Sequence, residues 1–153
     1  MKLSRKSDYA LRALVFLTMN RDRGPISIRE LAAENDIPKR FLEQIMLELK
    51  SKGWVTSVAG RIGGFKLAMK PDDITMGQVV RHFDGLLAPV WCVSVSNYES
   101  CSQESKCRFR RVLLDARNYV SMLMDQATLS KVVGEPIVTR AEVFADMYDG
   151  AGI

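Results

Sequence analysis

The sequence predicts a mainly α-helical fold: a winged helix-turn-helix domain followed by a long dimerisation helix. Three observations predict it. Three amphipathic helical segments run into a pair of short strand-like segments around a glycine-rich turn. The basic charge is concentrated in that same stretch: residues 1–70 hold 14 Lys and Arg against 7 Asp and Glu, a net of +7, whereas residues 71–153 hold 8 against 11, a net of −3. A further segment with apolar residues alternately four and three apart has no partner of equal length elsewhere in the chain. A basic half joined to a mildly acidic remainder points to a polyanion-binding part attached to something else. A solvated basic face without a partner is the plainer alternative, and charge alone does not separate the two.

Each element has its own signal. In "SDYALRALVFLTMN", Leu11, Leu14, Val15 and Leu17 keep a helical rhythm, and Ser7 or Asp8 is placed to cap its start. Gly24–Pro25 breaks the chain. Ser27 with Glu30 three residues on, before Leu31 and Ala32, reads as a capping-box helix start. Ile37–Pro38 ends that short helix, and Pro38 suits the first turn of the next. There Phe41, Leu42, Ile45, Met46 and Leu49 share one face, and Gly53 is a natural stop. "WVTSV" and "FKLAM" flank the turn-rich "AGRIGG" as a hairpin. A short helix over Met76 to Phe83 follows, and a long one over Ser105 to Thr128. The resulting organisation is a winged helix-turn-helix domain over 1–70, a cysteine loop and dimerisation helix over 71–133, and a tail over 134–153.

Helix, helix, turn, helix and a basic-tipped hairpin is the winged-helix order. The major groove of a DNA duplex is wide enough to admit the second helix of the pair, with its first turns nearest the base edges. Lys39, Arg40 and Gln44 stand in those turns, and Arg61 stands at the hairpin tip, where it can reach a minor groove or the backbone. The long helix places Phe109, Leu113, Ala116, Val120, Leu123 and Ala127 on a coiled-coil-like seam, widened by Val112, Tyr119 and Met124. Pairing with the same helix of a second copy, as a homodimer, is the simplest way to cover it, and it sets two DNA-reading heads on two half-sites. Packing against its own domain is the alternative.

All three cysteines, Cys92, Cys101 and Cys107, lie in "WCVSVSNYESCSQESKC". An odd count argues against a disulfide framework. No apolar run approaches the length of a membrane span, and the N-terminal stretch lacks a signal-peptide apolar block. The expectation is a cytoplasmic chain without membrane contact, where thiols stay reduced. The C-x8-C-x5-C spacing lets one loop supply three thiolates to an iron–sulfur cluster, whose usual ligand count is four. Zinc sites favour cysteines two to four residues apart, which this chain lacks. A metal-free thiol switch is the other reading: Arg108, Arg110 and Arg111 beside Cys107, at a helix start, would make that thiol reactive. An enzyme finds little support, for no nucleophile–base pair, phosphate loop or dinucleotide fingerprint is present. A pure protein-interaction module would need neither the cysteine cluster nor a basic reading helix.

From residue 1 to about residue 133 the chain resembles the Rrf2 family of bacterial winged-helix regulators, which includes IscR-, NsrR- and RirA-type members. The resemblance rests on "MKLSRKSDYALRAL", on "IPKRFLEQIMLELKSKGWVTSVAGRIGGFKLA", and on three cysteines before a long helix. It implies double-stranded operator DNA as partner and a homodimer. It also implies an iron–sulfur cofactor held by Cys92, Cys101 and Cys107, with 4Fe–4S favoured and 2Fe–2S the alternative. Members without the cysteines sense other signals, so a cluster-free thiol-redox or metabolite-sensing regulator of the same fold is the second expectation. IscR-like members carry a histidine shortly after the third cysteine, where this chain has Arg108, Phe109, Arg110 and Arg111. NsrR-like members use an aspartate near the start of the first helix of the other subunit, and Asp8 stands at that place. The only histidine, His82, reads as a half-buried helix residue. Glu43 matches a position that tunes site choice in IscR-like members. The usual wing arginine is replaced by Ala59, with Arg61 two residues later.

Overall fold

A computed structural model describes residues 2–145. The last part of the predicted tail, 146–153, lies outside the described residues. The chain forms α1 (Arg5–Met19), α2 (Ile28–Glu34), α3 (Lys39–Ser51), β1 (Val55–Val58), β2 (Gly64–Leu67), α4 (Met76–Asp84), α5 (Arg110–Gln126), α6 (Leu129–Gly134) and α7 (Arg140–Ala145). This is the mainly helical, winged helix-turn-helix architecture that the sequence predicts.

The centre of the packing is α1. Its Ala10, Ala13, Leu14 and Leu17 are buried, and small alanines let α3, α4 and α6 approach it closely. Ser4, not Ser7 or Asp8, is the cap: its hydroxyl accepts the Ser7 N–H at 3.2 Å. The start falls one turn earlier than expected, because Ser7 is needed inside, fully buried against the core. α2 begins as expected at Ser27, whose hydroxyl accepts the Glu30 N–H at 3.1 Å. The Glu30 carboxylate turns to Arg23 at 2.8 Å, so only half of the capping box forms. Asp36 adopts a left-handed φ of 51° between α2 and α3 and makes the sharp turn that sets the two helices apart. α3 buries Leu42, Ile45, Met46 and Leu49, the face read from the sequence.

β1 and β2 pair antiparallel in the register Val55↔Leu67 to Val58↔Gly64. Ile26 bridges to β2 from a third segment of chain, exchanging hydrogen bonds with Phe65 at 2.9 and 2.8 Å. Gly64 is required there, since a Cβ would stand 2.2 Å from the Ile26 carbonyl oxygen. The wing is thereby stitched to the chain leading into α2.

The core does not end at the wing. Ile74, Val79, Val80 and Leu129 join the same buried cluster as Leu14 and Leu42. Thr75 and Gln78 form a complete capping box at the start of α4. Met76 N–H donates to the Ala127 carbonyl and Leu129 N–H to the Ile74 carbonyl, each at 2.9 Å. The end of α5 is thus tied back to the start of α4, and α6 returns to α1.

α5 is shorter than the predicted 105–128 segment. Residues 101–106 form hydrogen-bonded turns, with Glu104 N–H donating to the Cys101 carbonyl at 3.0 Å. Its seam is also rotated. Val120 and Met124 face α4, and Leu114 faces the turn at Trp91–Val93. The outward stripe is Phe109, Val112, Ala116, Tyr119 and Leu123, with Phe109 70% and Tyr119 58% exposed. No residue of α5 is fully buried.

Candidate functional site

Burial of one face of α3 turns the other outward. Lys39, Arg40, Glu43, Gln44, Leu47 and Lys50 are exposed along it. Lys39 Nζ lies 3.5 Å from Glu43 Oε1, so these two charges partly neutralise each other one turn apart. Among the described residues Arg40 makes no ion pair, which leaves its guanidinium for another partner. Lys50 Nζ donates to Ser57 Oγ at 2.6 Å and joins the helix to the wing strand. Arg61 is exposed at the wing tip beside Ile62, which is 86% exposed. Leu47, 64% exposed among these polar residues, went unnoticed in the sequence, although it stands seven positions after Arg40 on the same face.

The second surface is the cysteine segment. Cys92 lies in a short 3-10 turn, Trp91–Val93, and Cys101 and Cys107 bracket the turns before α5. All three thiols are free; Cys101 is exposed and the other two are half-buried. The structure brings them to one cavity of about 760 Å³, whose walls include Trp91, Glu99, Glu104, Lys106, Phe109 and Arg110. Among the described residues no three His, Cys, Asp or Glu converge closely enough to grip a single metal ion. Three thiols around a shared space of that size suit a group larger than one ion, and thiolates are the donors that iron–sulfur clusters take.

A polar network runs beside that cavity. The Tyr98 hydroxyl meets both carboxylate oxygens of Glu104, at 2.7 and 2.8 Å, and this hydrogen bond raises the phenol above its ordinary pKa. Glu104 also forms an ion pair with Arg110. Arg110 donates from Nε and Nη2 to the Cys92 carbonyl at 3.1 and 2.7 Å. Arg117 Nη1 donates to the Val93 carbonyl at 2.7 Å. Sequence reasoning missed Tyr98, Glu104 and Arg117 because nothing in their spacing reveals which carbonyl or carboxylate each will meet.

Asp8 sits in the first turn of α1, half-buried, and makes a two-point pair with Arg12 at 2.8 and 3.1 Å. It does not cap the helix, and it does not line the cysteine cavity of its own chain. His82 also lies away from that cavity. Its ring packs edge-on against Trp54 and Phe83, and its Nε2 stands 3.6 Å from Glu48 Oε2. No helix among the described residues is long and apolar enough to cross a membrane.

A helix-turn-helix with a wing, an exposed basic helix face and a three-thiol pocket define a protein of the winged-helix regulator class. The Rrf2 family pattern, described as an iron-dependent transcriptional regulator, matches residues 3–135, and the chain belongs to that family of transcriptional regulators. It is 36% identical over 148 residues to an rrf2-like helix-turn-helix regulator of Rhodobacter capsulatus, covering 92% of this chain and 99% of the relative. It is 33% identical over 133 residues to the regulator NsrR of Bacillus subtilis, covering 87% and 90% of the two chains. Among solved structures, the global cysteine regulator CymR of B. subtilis superposes with a TM-score of 0.74 at 27% identity, covering 90% of this chain and 99% of that one.

Proposed function

We propose that the protein is a dimeric DNA-binding regulator that senses redox state, nitric oxide or iron–sulfur status through a cluster held by Cys92, Cys101 and Cys107. The observation that carries this reading is that three thiols spread over the segment from Cys92 to Cys107 open onto one cavity. When bound, the cluster supplies the reactivity toward oxygen, nitric oxide or iron supply that the protein side chains lack. Cys92 holds the start of the loop and Cys107 its end, immediately before α5, so ligation fixes the loop between α4 and α5. Asp8 of the partner subunit is the fourth ligand in this reading: its carboxylate is partly solvent-accessible and it lies on the helix that organises the DNA-reading domain. Exchanging Arg12 for the cluster would tie the sensor loop of one subunit to the reading head of the other. Lys39, Arg40, Glu43 and Gln44 read the major groove, and Arg61 approaches the DNA from the wing. The stripe Phe109, Val112, Ala116, Tyr119 and Leu123 pairs with its copy across a two-fold axis. Loss of ligation then shifts a two-state equilibrium in the setting of the two reading heads.

Anaerobic purification with iron and sulfide analysis tests the cofactor. Iron and sulfide together with broad visible absorption, lost in each Cys→Ala variant, is the expected result; zinc or metal-free wild-type protein would sink it. Cys101, exposed and free, favours one second reading, a cluster-free thiol switch, which predicts metal-free protein whose DNA affinity follows thiol oxidation.

A further inference from the structure

We infer that Arg110 is the positioning residue of the cysteine site: one guanidinium holds the Cys92 carbonyl and the Glu104 carboxylate together and sets the spacing of the three thiols around their cavity. The cluster part of this inference rests on the function proposed above; the positioning part does not.

The segment from Leu86 to Phe109 has little else to shape it. Only Val93 and Ser94 are buried in it, and its one regular element is the short turn at Trp91–Val93. Cys92 is far along the chain from Cys101 and Cys107, so some other link must set its distance from them. The polar network is that link. Arg110 places Nε and Nη2 on the Cys92 carbonyl oxygen and Nη2 also on Glu104. Glu104 is the middle of the turn run between the other two cysteines, where Glu104 N–H donates to the Cys101 carbonyl. Its carboxylate also accepts from the Tyr98 hydroxyl. Cys92 is thus joined through Arg110 and Glu104 to the turns that present Cys101 and Cys107. A planar guanidinium with five donors can satisfy a carbonyl and a carboxylate at once; a lysine ammonium is a single point of charge and does not span both in this geometry.

The same grip reaches the helix. Arg117, seven residues after Arg110 and so on the same side of α5, takes the next carbonyl, that of Val93. Two consecutive backbone carbonyls therefore hang from one face of α5. The exposed stripe Val112, Ala116, Tyr119 and Leu123 belongs to another face of that helix. Displacement of Cys92 is passed to α5 through these arginines rather than lost in the loop.

Thiol alkylation of the metal-free full-length protein, followed residue by residue by mass spectrometry, tests the grip. In the wild type Cys92 should react more slowly than Cys101. Arg110→Lys and Arg110→Ala should each speed Cys92 by about tenfold, the size of losing a charge-assisted hydrogen-bond pair, with Cys101 little changed. Because Arg110→Lys keeps the charge, its acceleration reports positioning and not a changed thiolate fraction. Tyr98→Phe removes only the outermost bond at an exposed site and should speed Cys92 by about twofold to threefold. Cluster loss to a chelator, timed by visible absorption in reconstituted protein, should accelerate in the same order. Arg110→Lys indistinguishable from wild type in Cys92 alkylation overturns the inference. A wild type that takes up no cluster removes the sensor reading, while the alkylation rates still decide the positioning role.

Discussion

Around α1 and α3, Leu14, Leu42, Met46 and Leu49 are completely buried, whereas none of the 17 residues of α5 is buried, and between Leu86 and Phe109 only Val93 and Ser94 are, neither of them completely. The first region is shaped by apolar burial, which is non-directional and roughly proportional to area, so its helices are fixed by the chain alone. The second is shaped by directional bonds from Arg110, Arg117 and Glu104. Charge-assisted bonds of this kind are strong only while each partner is in place. In the function proposed above, the reading head presents Arg40 and Arg61 in one geometry, which a dense core favours, and the sensor segment changes shape when its ligand leaves, to which a sparsely buried segment held by a few polar links is suited.

The sharpest test of this contrast is to damage each region in turn. Leu14→Ala, in the dense core, should lower unfolding stability by about 2–5 kcal/mol, read from a denaturant titration. Arg110→Ala should leave the main unfolding midpoint nearly where it is; an equal loss of stability in both variants would erase the distinction. Next comes the exposed stripe of α5. Leu123→Asp should weaken dimer association by roughly 2 kcal/mol or more, giving monomers in sedimentation at micromolar concentration with the fold intact. Val120→Asp, against α4, should instead destabilise the fold itself. A wild type that is monomeric, or a Leu123→Asp variant that stays dimeric, would move the interface elsewhere.

Smaller effects separate the outer face of α3 from its buried one. Arg40→Ala should cost about 1–3 kcal/mol of operator binding and relax preference at one base if its partner is a guanine edge. Lys39→Ala should cost less, because its ammonium already shares charge with Glu43. Titrations at several salt concentrations distinguish base from phosphate contacts, and unchanged affinity in both variants would displace the reading helix. Thr75→Ala, which removes the cap of α4, should cost about 1 kcal/mol of stability, measured by thermal unfolding. Smallest of all, Asp8→Ala should change stability by under about 0.5 kcal/mol, since its pair with Arg12 is exposed. Its effect on cluster lifetime should be far larger; equal lifetimes would return Asp8 to a surface ion pair.

Much of this molecule is legible in the chain. The buried face of α3, the hairpin around "AGRIGG", the start of α2 at Ser27 and the grouping of the three cysteines all follow from periodicity, turn residues and local spacing. These depend on neighbours a few residues apart, and so a linear sequence contains them. The register of α5 does not. Its apolar stripe is wider than a coiled-coil seam, and only the docking of Val120 and Met124 on α4 decides that Val112, Tyr119 and Leu123 face outward. The cap of α1 moved to Ser4 because tertiary packing claimed Ser7 for the interior. Residues 105–109 lie in turns and bends where the first turns of the helix were expected, with Glu104 held by Tyr98 and Arg110. The sequence by itself determined which surfaces exist, a basic helix face and a thiol-bearing loop. Only the tertiary structure decided how Cys92 is joined to Cys101 and Cys107, because a hydrogen bond between a side chain and a backbone carbonyl eighteen residues away is set by the fold and leaves no periodic trace in the chain.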